Sequence, residues 1–141
     1  MVVLDTNVVS ELMRPSPEPA VVAWLNARPP HDLFVTAVTE AEVRTGIALL
    51  PDGRRRRHLV RAADRAFNEL FEDRVLPFER EAARAYASIA AERRTAGRPI
   101  SQFDCQIAAI ARSLGAAVAT RNTRDFNGTG IPVLDPWENC G

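Results

Sequence analysis

The sequence predicts an α/β fold with a mostly parallel central sheet. Three observations carry that prediction. Val2-Val3-Leu4, Leu33-Phe34-Val35, Ala117-Val118-Ala119 and Val133-Leu134 are short, continuous apolar runs. Strands covered on both faces read this way, whereas half-exposed strands alternate. The segments between them carry apolar residues at helical spacing. Strand and helix then alternate along the chain, which favours parallel pairing.

The elements follow in order. Val2 to Leu4 is the first strand and Val8 to Met13 a short helix, broken by the proline-rich stretch Arg14 to Pro19. Pro19 suits the first turn of a helix over Ala20 to Asn26, anchored by Trp24 and Leu25. Leu33 to Val35 is the second strand. Thr39 to Leu50 is helical, with Val43, Ile47 and Leu50 in phase, and Thr39 with Glu42 reads as a capping box. Pro51-Asp52-Gly53 is a turn. Arg54 to Phe71 is a long helix with Leu59, Ala63, Ala66, Phe67 and Leu70 on one side. Val75-Leu76 is a minor strand. Glu79 to Ala96 is an alanine-rich helix closed by Gly97. Gln102 to Leu114 is the last helix, with Phe103, Ile107, Ile110 and Leu114 in phase and Gly115 as its stop.

At 141 residues the chain has the length of one domain, expected to span 1–141. Such a chain buries roughly 70% of its unfolded surface and needs no staple. Two cysteines, Cys105 and Cys140, make no framework, so a reduced, cytoplasmic setting is expected. The sequence shows no basic-then-apolar leader pattern and no apolar run near 18 residues, so neither secretion nor a membrane span is expected. Net charge is zero, so nucleic-acid binding by bulk charge is not indicated. All 18 basic residues are arginine.

The polar residues at the strand ends raise the functional question. Asp5, Thr6 and Asn7 stand where the first strand stops, and Asp5 is a natural helix N-cap. Glu40 and Glu42 flank the Val43/Ile47 stripe at similar angles, and periodicity does not choose between them. Asp104 follows Ser101, a candidate cap, in a helix's first turn. Thr120, Asn122 and Asp125 follow the strand Ala117 to Ala119. Each acid has a plain structural reading. Each also falls just after a strand or in a first helical turn, and in a parallel sheet those places converge on one edge. Gathered carboxylates repel one another and raise each other's pKa. A bound divalent cation such as Mg²⁺, which takes oxygen ligands and keeps several waters, removes that cost.

The segments "VVLDTNVVSEL", "TAVTEAEVRTGIALL", "DCQIAAIA", "VATRNTRDF" and "VLDPW" resemble, in order and spacing, the motifs of PIN-domain ribonucleases. The likeness is to the VapC/FitB branch, the toxins of type II toxin–antitoxin pairs, and runs from residue 2 to about 138. It implies a PIN-like three-layer α/β/α fold and a Mg²⁺- or Mn²⁺-dependent endoribonuclease. The family's metal-site and catalytic acids match Asp5, Glu42 and Asp104, and Glu40 falls at a variable position. A fourth family acid corresponds to Asn122 here, a departure that leaves the fourth place between Asn122 and Asp125, three residues on. Thr6, Asn7 and Thr120 are implied in supporting roles. The implied partners are RNA, a cognate antitoxin with a DNA-binding domain, and a second copy in a homodimer or a higher heteromer with antitoxin. No membrane is implied. The antitoxin is expected to reach the acids with an arginine and to dock beside the helices at 8–13 and 20–26.

Two competing readings come from other classes. Aspartyl-phosphate enzymes and receiver domains also end a strand in Asp, but they use a lysine, and this chain has none. A catalytically weak PIN-like module, acting by binding nucleic acid or an antitoxin, would fit the Asn122 departure. Arg54 to Arg57 reads as a solvated helix start. His31 and His58 read as surface residues, and Cys105 as a buried small side chain.

Overall fold

A computed structural model describes residues 1–138, so Cys140 lies outside the described residues. Five strands form one sheet in the order β3-β2-β1-β4-β5, every adjacent pair parallel. They are β1 (Val2–Leu4), β2 (Leu33–Thr36), β3 (Val75–Leu76), β4 (Ala117–Ala119) and β5 (Val133–Leu134). Six α-helices connect them: α1 (Thr6–Leu12), α2 (Pro19–Asn26), α3 (Ala37–Ala48), α4 (Arg54–Arg65), α5 (Arg80–Thr95) and α6 (Gln102–Ser113). Each strand expected from its apolar run is present.

The strand order explains the layers. The chain steps from β1 to β2 to β3 in one direction, then returns past β1 to β4. Right-handed crossovers put helices on opposite faces when the direction of travel reverses. Accordingly, residues of α1, α2 and α4 bury one core around Val9, Val21, Leu25 and Phe67. Residues of α5 and α6 bury the other around Ile89, Ile107, Ile110 and Phe126. The order reverses between β1 and β4, and the crevice at the carboxyl ends of those strands is where such sheets place ligands.

Several boundaries differ from the sequence reading. The first helix starts at Thr6, directly after Asp5, which accepts the Thr6 N–H through Oδ1 at 2.8 Å. The cap of α3 is Thr36, whose Oγ1 accepts the Thr39 N–H at 3.0 Å, so Thr39 and Glu42 form no capping box. Glu42 consequently lies in the second turn of α3. The long helix from Arg54 is α-helical only to Arg65, and Ala66–Leu70 is wound as a π-helix. The wider turn shifts the phase. Phe67 and Phe71 are buried, while Leu70 is 56% exposed. On α6 the buried stripe runs through Cys105, Ile107, Ala108 and Ile110, leaving Phe103 and Leu114 about half exposed. Arg54, Arg55, Arg57, His31 and His58 face solvent, as expected.

One buried cation fixes the segment after β4. Arg93 of α5 is only 7% exposed. Its guanidinium donates to the carbonyls of Arg98 at 2.6 Å, Asp125 at 2.9 Å and Asn127 at 2.8 Å. Thr123–Phe126, a 3₁₀ turn, is thereby clamped to α5. Arg93→Ala leaves those carbonyls without donors. It is expected to cost about 2–4 kcal/mol in urea unfolding. Arg84→Ala, which removes an exposed pair with Glu81, is expected to cost under about 1 kcal/mol. Equal losses in the two variants would contradict the clamp.

Candidate active site

Asp5 lies at the carboxyl end of β1, beside the end of β4, and is 5% exposed. Its backbone N–H continues the sheet by donating to Ala119 O at 2.9 Å. Its carboxylate is held from three directions. Oδ1 accepts the Thr6 N–H. Oδ2 accepts the Thr120 hydroxyl at 2.8 Å and the Asn7 amide at 3.3 Å. The Asn7 amide also donates to Thr120 Oγ1 at 3.2 Å, and the Asn122 N–H donates to the same oxygen at 3.0 Å. With two donors facing its lone pairs, the Thr120 hydroxyl is left to point its proton at Asp5.

Thr6 serves the second acid. Its hydroxyl donates to Glu42 Oε1 at 2.8 Å and lies 3.1 Å from Thr39 Oγ1. Glu42 Oε2 carries no protein hydrogen bond among the described residues. Glu40, the rival on the helical wheel, is turned away and paired with Arg44 at 2.8 Å. Asp104 comes from the first turn of α6, whose cap is Ser101, as expected; the Ser101 Oγ accepts the Asp104 N–H at 3.2 Å.

Asp5, Glu42 and Asp104 line one cleft of about 520 Å³ with Thr6, Asn7 and Asn122. Their ionisation follows from that crowding. Burial pushes the Asp5 carboxyl up to about 6, against the hydrogen bonds from Thr120 and Thr6, with the charges of Asp104 and Glu42 adding to the rise. Burial also raises Glu42, opposed by the Thr6 hydrogen bond and reinforced by Asp104. Asp104 is raised by burial too; the Ser101 hydrogen bond opposes this, Asp125 adds to it, and Arg93 works against it. Asp125 is exposed, is absent from the cleft lining, and reaches Asp104 only through its charge. At the fourth position the cleft wall carries the neutral, exposed Asn122.

The donor set is all oxygen, which suits a hard cation such as Mg²⁺ or Mn²⁺. Among the described residues no group of three His, Cys, Asp or Glu side chains is arranged to hold an ion by itself. The fit is therefore to an ion held by part of the acid set and retaining waters, as Mg²⁺ does.

Other lining residues were not singled out in the sequence: Ser10, Glu11, Arg14, Arg121 and Trp137. A signal existed for three of them. Asn7, Ser10 and Glu11 fall at i, i+3 and i+4 on one polar face of α1, and Arg14 continues that spacing just past its end. Glu11 is 7% exposed; it pairs with Arg14 at 3.2 Å and accepts the Glu18 N–H at 2.9 Å, tying the proline-rich loop to the cleft wall. A second concavity, lined by Val9, Met13, Ala66 and Phe71, runs between α1 and the π-helical turn. It lies on the α4 side of α1.

Fold and site together define a parallel α/β protein with a carboxylate-lined cleft at the switch point of its sheet. The chain matches the PIN domain family over residues 2–131 and belongs to it. It is 41% identical to VapC ribonuclease Y4jK of Sinorhizobium fredii over 138 residues, covering 98% of this chain and 99% of that protein. It is 40% identical to toxin FitB of Neisseria gonorrhoeae over 139 residues, covering 99% of this chain and all of FitB. The crystal structure of FitAcB from Neisseria gonorrhoeae superposes with a TM-score of 0.89 at 40% identity, covering 98% of this chain and 99% of that one. That likeness bears out the three-layer PIN-like α/β/α architecture.

The raised Asp5 carboxyl predicts a pH dependence for the metal-free protein. Between about 3.8 and about 6 the folded protein keeps a proton that the unfolded chain has released. Stability is fully present below that window and falls as pH rises through it, by roughly 3 kcal/mol at most. Glu42 and Asp104 add in the same direction. Urea unfolding in chelator should show the decline, and Asp5→Asn should flatten it. Stability that climbs with pH across this window would contradict the assignment.

Proposed function

We propose that this chain is a divalent-metal-dependent endoribonuclease and the toxin of a type II toxin–antitoxin pair. It would form one domain over residues 1–141 and act in the cytoplasm. The observation that carries the reading is the meeting of Asp5, Glu42 and Asp104 in one cleft. They arrive from three separate elements, and each has its pKa raised by burial. The ribonuclease and toxin names of full-length relatives support it. Among the described residues no helix is long and apolar enough to cross a membrane.

In this reading Asp5 and Asp104 hold Mg²⁺ or Mn²⁺ through carboxylate oxygens. The bound ion supplies Lewis acidity toward water and phosphate. Thr120, Asn7 and the Thr6 N–H keep Asp5 in one orientation. Thr6 fixes Glu42 through Oε1 and leaves Oε2 free to take a proton from the attacking water. The water oxygen forms a new bond to phosphorus as one ribose oxygen leaves. Asn122 contributes a neutral amide to the wall in place of a fourth charge.

The partner reading follows from relatives that were solved as complexes, including FitAB bound to an IR36 DNA fragment. By that likeness the partner is an antitoxin with a DNA-binding domain, and the toxin is a homodimer or part of a higher heteromer with it. A cleft of three carboxylates suits an arginine fork, which grips a carboxylate with two hydrogen bonds. An antitoxin arginine placed there would compete with the ion.

The test is cleavage of an end-labelled, mixed-sequence RNA by purified protein with Mg²⁺ or Mn²⁺. Asp5→Asn, Glu42→Gln and Asp104→Asn are each expected to lose on the order of 100-fold or more in rate. Asp5→Asn should stay folded, since relief of the buried charge offsets the amide it sets against the Asn7 and Thr120 donors. Wild-type cleavage that survives chelation, or an Asp5→Asn variant as fast as wild type, would overturn the reading. A protein that binds metal yet leaves RNA intact would favour the catalytically weak module that Asn122 suggests.

A further inference from the structure

The acid cleft has a second chemistry on its wall, which the metal reading does not use. Arg121 leaves the carboxyl end of β4 one residue after Thr120, whose hydroxyl holds Asp5 at 2.8 Å. The Arg121 guanidinium carbon lies 5.2 Å from the centroid of the Trp137 indole. Both residues line the cleft with Asp5, Asp104 and Asn122. Trp137 is fixed from behind. Its backbone N–H donates to Asp135 Oδ1 at 2.8 Å, and the side chain packs on the core formed by α1, α2 and α4. It remains half-buried, with part of its surface open to the cleft.

The cations lining the cleft are Arg14 and Arg121. Arg14 is paired with Glu11. Arg121 is exposed and enters none of the ion pairs among the described residues. A wall of carboxylates repels a phosphodiester, so a substrate must find positive charge beside it. A guanidinium next to a rigid, partly open indole offers a phosphate a charge and a base a stacking face.

Resting on the ribonuclease reading, we propose that Trp137 and Arg121 form a nucleotide subsite next to the scissile phosphate. Trp137 stacks an unpaired base, and Arg121 pairs with a flanking phosphate. A base inside a duplex has both faces occupied by its neighbours, so this subsite selects unpaired RNA. It tolerates any base, because every base has a π-face. Arg121 moves with the incoming phosphate, and the base takes up the indole surface.

Trp24→Phe leaves Trp137 as the sole tryptophan of the two in the chain. In this background, stopped-flow mixing with an unpaired oligoribonucleotide should quench emission in a binding phase that precedes any cleavage. An abasic oligonucleotide of equal length keeps the phosphates and should give no such quench. Trp137→Leu should weaken binding of the RNA roughly tenfold and leave the abasic chain unaffected. Trp137→Phe, which keeps an aromatic face and the packing, should stay within about threefold of wild type. Arg121→Gln should weaken both ligands. Equal binding of RNA by Trp137→Leu and wild type would overturn the subsite while the nuclease stands. Trp137-dependent binding by a protein that never cuts would keep the subsite and sink the nuclease. An indole that responds to the antitoxin but not to RNA would make this wall a protein contact and overturn the proposal.

Discussion

Burying the Asp5 carboxylate at the end of β1 costs free energy, and the surrounding structure is arranged to hold that charge in place. A carboxylate that is 5% exposed and near two others has lost most of its water. What replaces the water comes from three places in the chain: the first peptide N–H of α1, the amide of Asn7, and the hydroxyl of Thr120 at the end of β4. The parallel register of β1 and β4, with Leu4 opposite Ala119, is what brings Thr120 to Asp5. The hydrogen bonds hold the carboxylate but do not outweigh its desolvation, so its pKa stays high at about 6. Among the described residues the charges that act on Asp5 from Glu42 and Asp104 are negative and raise its pKa further.

The same logic explains the tripeptide Asp5-Thr6-Asn7. Each residue serves the cleft through a different contact. Asp5 is the buried charge and the helix cap. Thr6 begins the helix and reaches across to Glu42 on α3. Asn7 braces Asp5 and Thr120 and accepts the Arg121 N–H at 3.3 Å. Glu11, further along the same face of α1, and Arg14, just past the helix end, extend the wall. Arg93 holds the segment after β4 from the far side of the sheet, through carbonyl contacts alone. Hydrogen bonds of this kind lose little to screening because they are buried.

Much of this was legible in the sequence for a physical reason. Strands buried on both faces must be apolar without alternation, so β1, β2 and β4 announce themselves, and residues at their carboxyl ends become candidates by topology. Asp5, Thr120 and Asn122 are of this kind. The start of α3 was not legible. Thr36 and Thr39 both offer a capping hydroxyl, and the choice falls to Thr36 because it ends β2, paired with Leu76 of β3. Glu42 over Glu40 rested on resemblance, and the structure supplies the cause: Arg44 takes Glu40, and Thr6 takes Glu42. The π-helical turn after α4 answers to packing of Phe67 and Phe71, which no local period encodes. Trp137 joins the cleft only through the docking of β5 against β4, a pairing between distant segments.

The central claim is that Asp5, Glu42 and Asp104 form one cation site. Anomalous diffraction from crystals soaked in Mn²⁺ at neutral pH tests it most directly. The account predicts an anomalous peak in the cleft within ligand distance of Asp5 and Asp104, with Glu42 reaching it directly or through water, and its loss in Asp104→Asn. Ordered Mn²⁺ elsewhere on the molecule with none in this cleft would contradict it.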